Sequence, residues 1–390
     1  MIALMILIYL VGAVLGMGNN LLSASWPVLS TFLGAPVSGA GIWSAILTGS
    51  MLAASLTAAA LNRRFGTGRV VTAMLVLSGA SILITSFVTG FPVLCALAVP
   101  MGYAGGCITT IHSRYVAMHY RAAFSSLMNA LTGIGCAFGP MLMSVFLANG
   151  ENWQGGYLTV GGLQLALVIA LLFVWSCWKD EGRIPEGAAS GGQKAFGNLE
   201  TLRCPGMVTA MLTMFAFYSI VNIVGLWAAT YMSEAKHLSA EVAARYSSIY
   251  FVGATGGCML SSALSFRMKC RGIMRLAYMI GALGILALML PLSGVFTGAG
   301  LFLIGLGISP LFPNLIRLTP CRFGAERAQA AIGLEMAAAY FGNAVMPLAF
   351  GAFAEVFGFE TMPFVLMGLL VLTVVFAERN NRRFHVAEEE

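Results

Sequence analysis

The chain has 390 residues, of which 59 % are hydrophobic and only 9 % charged, and its mean hydropathy is +0.87. Soluble chains carry about a quarter charged residues, so a soluble domain is excluded, and the net charge of +6 fits loops beside an anionic leaflet rather than nucleic acid. The 46 glycines suit helices packed in lipid, where small residues let backbones approach.

Apolar runs separated by polar, Gly or Pro punctuation predict twelve spans. The first covers residues 3–31; it is too long for a cleavable leader and lacks a basic start, so it is expected to remain as a span. Five follow at 41–61, 70–89, 92–118, 123–148 and 156–178. The stretch 179–205, rich in Gly, Ser and mixed charge, reads as a flexible linker. Six more spans are expected at 206–232, 242–266, 273–292, 296–316, 328–356 and 362–378, before a tail of 379–390. The joints at Gly90-Phe91-Pro92 and Ser293-Gly294 are very short and are inferred mainly from length. This divides the chain into a bundle over 1–178, the linker, a second bundle over 206–378, and the tail.

Lys and Arg accumulate in cytoplasmic loops. With both termini inside, every one of the 21 basic residues falls on or near the cytoplasmic side except Lys236 and Arg245. The expected location is a cytoplasmic (inner) membrane, crossed many times, with both termini in the cytoplasm. The eight Cys lie mostly within apolar runs without metal-ligand spacing and read as small buried hydrophobes.

The two sixes of spans resemble each other. Gly102 to Arg114 and Gly305 to Arg317 have the same separation. Each segment is followed by a short basic loop and a Gly-rich span carrying Pro140 or Pro347. Five stretches carry a family likeness. They are Gly18-Asn19-Asn20-Leu21-Leu22 with Trp26-Pro27, the basic loop Arg63 to Arg69, and Gly102-x-x-Gly105-Gly106 leading to Ser113-Arg114-Tyr115. In the second half they are Gly305-x-Gly307-x-x-Pro310-x-x-Pro313, and Gly333-x-Glu335 running to Pro347. Together they resemble the major facilitator superfamily, and within it the fucose-permease-like sugar transporters. The resemblance implies an all-α membrane protein with twelve transmembrane helices in two pseudo-symmetric six-helix bundles, whose binding site lies between them at mid-membrane. It departs at the positions where the proton-coupled branch members carry acids, which here are Ser23 and Thr109.

An ionisable group inside a bilayer costs on the order of 3 kcal/mol and therefore faces a cavity or a partner. Glu335, read as the embedded carboxylate, is the proton-coupling candidate; the competing reading is a structural pair with Arg114, Arg317 or Arg64. Arg114 could hold an anionic group through its planar fork or reach to the interface. Mid-helix amides need partners, so one of Asn19 and Asn20 is expected to face the cavity and the other a neighbouring helix. Thr109, Ser113, Asn129 and Thr132 supply a neutral polar lining in the first half. Tyr218, Asn222, Trp227, Tyr250, Asn314, Tyr340 and Asn343 do so in the second. Rings beside amides suit a sugar, because ring faces stack while hydroxyls take the amides; Trp26, Trp43, Trp153 and Trp227 could equally be interface residues. Gly135-x-x-x-Gly139-Pro140 resembles part of an antiporter signature, though such spacing is also ordinary helix packing.

The expected function is transport of a small polar solute, a sugar or sugar derivative, by alternating access, with protons as the candidate coupling ion. The alternatives are an exporter of amphipathic drugs and a carrier of organic anions using Arg114. An intramembrane enzyme would need paired Asp, a Ser with a Lys or His base, or a metal-type His pair; the sequence has no Asp pair and no embedded Lys, and of His112 and His119, seven apart on one helix face, the second sits at the membrane edge. No cofactor, metal or nucleic acid is expected; the partners are the solute and the lipid bilayer, and the chain is expected to act as a monomer.

Overall fold

The computed structural model describes residues 2–119, 122–150, 152–173, 198–290 and 294–384, and every element among them is helical. The first half comprises α1 (Ile2–Asn19), α2 (Leu21–Leu33), α3 (Gly39–Phe65), α4 (Thr67–Thr85), α5 (Phe91–His119), α6 (Ala122–Ala148) and α7 (Trp153–Phe173). After the short α8 (Asn198–Leu202), the second half comprises α9 (Met207–Glu234), α10 (Ala240–Leu264), α11 (Cys270–Met289), α12 (Gly294–Ile308), α13 (Leu311–Phe323), α14 (Ala325–Phe357) and α15 (Met362–Arg383). Of the linker expected at 179–205, residues up to 197 lie outside the described residues.

With α1–α2 and α12–α13 each counted as one broken span, twelve helical segments match the twelve expected runs, and the two short joints separate distinct helices. Eleven are apolar and long enough to cross a membrane. The twelfth is α10, whose 25 residues include Glu241, Arg245 and many Ser and Gly. It packs against α6, α9 and α12. Both breaks have local causes. At Asn20 the carbonyl accepts the Ser23 hydroxyl at 3.0 Å, which competes with the helical bond from Ala24 N, stretched to 3.4 Å. At Pro310 the ring removes a donor and crowds the preceding turn.

The halves repeat one packing scheme. In the first, α3 packs on α5 and α1 on α6; in the second, α10 packs on α12 and α9 on α14. The glycine landmarks explain why. A Cβ at Gly102 would strike the Leu47 carbonyl of α3, and one at Gly305 would strike the Tyr250 carbonyl of α10. These are equivalent positions, and only glycine lets the helices approach so closely. Gly135 and Gly139 lie on the carbonyls of Ala13 and Met17 in the same way, so the antiporter-like spacing works as helix packing between α1 and α6.

Across the halves, α6 packs on α10, α3 on α14, and α2 on α9 and α10. The closest approaches gather on the face opposite the termini. A Cβ at Gly41 would stand 2.7 Å from Leu348 Cα, and one at Gly351 3.3 Å from Ser38 Cα. Trp227 fills the same region, edge-on to Phe350 and tilted against Phe359, with its Nε1–H donated to the Pro347 carbonyl at 3.0 Å. Trp26, Trp43, Trp153 and Trp227 are all buried within the protein, so none is an interface-belt residue. The halves therefore meet in close backbone contact on the far face, beside a hollow of about 780 Å³ lined by Phe32 and Trp153 of the first half and Ser233 and Leu238 of the second. Gly105, midway along α5, and Gly333, near the start of α14, have nothing within 4 Å of a Cβ.

Candidate functional site

The broken α1–α2 span is flanked by α6 and α7 in its own half and by α9 and α10 across the divide. Its exposed amide, Asn19, therefore opens on the space between the halves. The adjacent Asn20 turns away and donates Nδ2 to the Cys136 carbonyl of α6 at 3.4 Å. On α5, Thr109 is exposed one turn beyond Gly105, bonding back to its carbonyl at 2.8 Å, with Thr110 exposed beside it. Asn19 and Gly105 line one recess, so Asn19, Gly105 and Thr109 form a continuous neutral strip.

The second half presents rings and amides at matching depth. Tyr340 of α14 is 41 % exposed, and Asn343 follows it, half-buried. Tyr218 of α9 lies edge-on to Phe312 of α13 at 5.8 Å, within electrostatic reach of Tyr340. Asn222 donates Nδ2 to the Tyr218 carbonyl at 2.8 Å. Thr132 is half-buried on α6, bonded to the Met128 carbonyl; one residue along, a Cβ at Gly133 would stand 2.8 Å from the Thr255 hydroxyl of α10. Counted from the termini-side helix ends, Asn19, Thr109, Thr132, Tyr218, Asn222, Tyr340 and Asn343 all lie 10 to 18 residues in. At a rise of about 1.5 Å per residue this is roughly 15–27 Å, the middle of a bilayer.

Three expected lining residues stand elsewhere. Trp227 belongs to the far-face closure described above. Tyr250 is buried, its hydroxyl directed at the Val221 carbonyl 3.5 Å away. Asn314 is buried inside the second bundle, where it donates to Ser261 Oγ and the Pro310 carbonyl and accepts from the Cys270 thiol. The side chains of Ser113, Arg114 and Asn129 lie outside the described residues.

Glu335 is 2 % exposed and does not reach the path. Its Oε2 accepts the Thr319 hydroxyl at 2.7 Å, and the cation acting on it is Arg322. Arg322 is itself buried and donates to Asn381 Oδ1 of α15 at 2.7 Å. Among the described residues the cation is thus neither Arg317 nor Arg64, and the side chain of Arg114 lies outside them. The reason is local: α13 runs on to Phe323, beyond the expected end of its span, and carries Thr319 and Arg322 inward. The cluster ties α13, α14 and α15 together.

Sequence reasoning missed a recess behind Asn19. Five helices converge on it, with Leu15, Gly18 and Asn19 from α1; Trp43, Leu47 and Met51 from α3; Ser78 and Ile82 from α4; Met101, Gly102 and Gly105 from α5; and Gln164 from α7. Gln164 is the informative member, and the available signal was a lone amide in the apolar run Gly161 to Ala170. Among the described residues no group of His, Cys, Asp or Glu could hold a metal ion.

Two halves of six helical spans each, with neutral polar side chains at mid-depth, make up the frame of the protein. A sequence profile of the Major Facilitator Superfamily matches residues 8–334. The chain belongs to that superfamily. It is accordingly a membrane transporter of small solutes and not an enzyme. No curated protein matches the facilitator significantly in sequence. Solved structures that superpose on it include a point mutant of the nucleoside transporter NupG (TM-score 0.78, 13 % identity, 98 % of this chain and 99 % of that one). A bacterial homologue of the human lysosomal transporter Spinster, inward-facing and unoccupied, gives 0.76 at 13 % identity over 99 % and 98 % of the two chains. A D-xylose–proton symporter gives 0.70 at 15 % identity over 95 % and 97 %. At such identities the likeness is one of fold.

Proposed function

We propose that this facilitator moves a small, neutral, hydroxylated solute, a sugar or sugar derivative, across the cytoplasmic membrane by alternating access. The observation that carries the reading is the lining of the path. Asn19, Thr109, Tyr218, Asn222, Tyr340 and Asn343 offer amides, hydroxyls and ring faces and no charge. Such a surface matches a ring that stacks through its faces and hydrogen-bonds through its rim. An organic anion would want a cation on the path, and none of these six side chains supplies one. Two of the superposing structures are named for a nucleoside and for D-xylose, both built on a hydroxylated ring, and this supports the same class.

The sidedness of Lys and Arg supports both termini in the cytoplasm. Glu335 enters as a brace between α13 and α14 rather than as a group in contact with solute, because it is buried and Thr319 already engages it. The test is counterflow in reconstituted vesicles loaded with unlabelled D-xylose, D-glucose, L-fucose or uridine, with a cationic dye and a sugar acid as contrasts. Exchange of one or more neutral probes, with none of either charged contrast, is expected. Exchange confined to the dye or the acid overturns the reading.

A further inference from the structure

Gln164 is 0 % exposed, yet neither its Oε1 nor its Nε2 has a hydrogen-bond partner in the protein. Trp43, 3 % exposed, leaves its Nε1–H equally unmatched. Both line the recess behind Asn19 and Gly105, together with Ser78. Buried polar groups are ordinarily satisfied, and three unmatched atoms on one small hollow are an exception that calls for an occupant. Gly18 borders the hollow directly: a Cβ there would come within 3.3 Å of Gln164 Nε2 and 2.9 Å of Ile82.

The geometry points to a subsite that takes one neutral hydroxyl of the transported solute. Its volume is about 10 Å³, room for a single water-sized group. The chemistry of the wall selects further. Trp43 can only donate, while Gln164 offers both an acceptor and a donor. One oxygen that accepts from Trp43 and donates to Gln164 Oε1 is a hydroxyl, of a solute or of the water it displaces; a carbonyl could only accept, and an ammonium could only donate. No charged residue lines the recess, so neither a carboxylate nor a cation would find its counter-charge there. Asn19 and Gly105 at the rim face the path, so a ring lying against Asn19 can lower one hydroxyl inward while its body remains between the halves. The inference rests on the reading of the chain as a carrier of hydroxylated solutes and adds which part of such a solute is selected. Sites built this way reject an analogue lacking the hydroxyl, because their own polar groups are then left unmatched.

The experiment uses the purified full-length protein and binding measured by thermal shift and calorimetry. The probes are D-xylose, D-glucose, D-galactose, L-fucose, myo-inositol, uridine and adenosine, then the monodeoxy analogues of whichever bind. In the wild type, removal of one particular hydroxyl should weaken binding about tenfold, the worth of one to two neutral hydrogen bonds. Gln164→Met should weaken the parent compound by a similar factor and leave that one deoxy analogue unchanged, while other deoxy analogues fall with the parent. Trp43→Phe should select the same hydroxyl. If Gln164→Met does not fold, as judged by size exclusion, Trp43→Phe and Ser78→Ala carry the same comparison. Equal losses for parent and all analogues, or no loss for any, overturn the subsite and leave a solvent molecule as the occupant, with the transport reading intact. Failure of every hydroxylated probe to bind overturns both.

Discussion

The closure at the far face makes a quantitative demand on Gly41. A Cβ there would stand 2.7 Å from Leu348 Cα and 3.0 Å from the Pro347 carbonyl, against ordinary contact beginning near 3.4 Å. Both obstacles are backbone of α14, which cannot turn aside as a side chain would. Gly41→Ala therefore forces α3 and α14 apart by about 0.7 Å wherever the far face is closed. Overpacking of this kind costs about 1–3 kcal/mol. The cost applies only to the far-closed state, because parting the halves at that face relieves it. A penalty borne by one of two conformers shifts their ratio by the corresponding factor, about 5- to 150-fold. Ser38, whose Cα a Cβ at Gly351 would approach at 3.3 Å, reports on the opening. With the native cysteines replaced, Ser38→Cys should react with a membrane-impermeant maleimide at least fivefold faster when Gly41→Ala is added. Gly49→Ala is the control, since it lies on the same helix with nothing within 4 Å, and it should change nothing. An unaltered labelling rate in folded Gly41→Ala protein would refute the assignment of the far face as the closed gate.

Other substitutions separate structure from function. Thr319→Val and Asn381→Leu should each lower stability by about 1–3 kcal/mol in thermal unfolding, since each leaves a buried charged group, Glu335 or Arg322, without its hydrogen-bond partner. Asn20→Ala should cost about 0.6 kcal/mol, the usual worth of an interhelical bond in lipid, without altering solute affinity. Asn19→Ala should do the reverse, leaving the unfolding temperature alone and weakening binding in calorimetry. Gly105→Ala should gain about 0.5 kcal/mol of helix stability while slowing counterflow, because its new methyl enters open space at the rim of the recess.

Hydropathy and the Lys/Arg pattern made the helical scaffold readable, because span length and loop charge are set by the bilayer and act on each segment separately. What depends on neighbours was not readable. Trp43 looked like an interface residue, since its burial follows from α3 packing on α5 and from the floor that α4 and α7 provide. Arg322 lay beyond the expected end of its span, because apolar content falls at Arg317 while the helix continues to Phe323; the partner of Glu335 was therefore sought elsewhere. Asn314 and Tyr340 carry equal polarity in the sequence. Only the fold shows the first engaged by Ser261 and Cys270 and the second exposed. Gln164 was passed over because one amide in an apolar helix has no period, and its meaning rests on the other four helices around it.

The placement of Glu335 also bears on how transport could be energised. Coupling requires that proton and solute each change the other's binding free energy. None of the described side chains proposed for the path carries a charge, and the embedded carboxylate is engaged by Thr319 within the second half, with the buried Arg322 nearby. A group held by partners that do not touch the solute has no direct means of sensing it. Glu335 does stand five residues before Tyr340 on the same helix, so breaking its bond to Thr319 would loosen α14 from α13. That loosening would alter the rate of conversion rather than the driving force. The expected outcome is that an imposed pH gradient does not concentrate a neutral solute in wild-type vesicles, and that Glu335→Gln changes the speed of counterflow but not its end point. Accumulation in the wild type that Glu335→Gln abolishes, with exchange preserved, would make Glu335 the coupling acid and refute its reading as a brace.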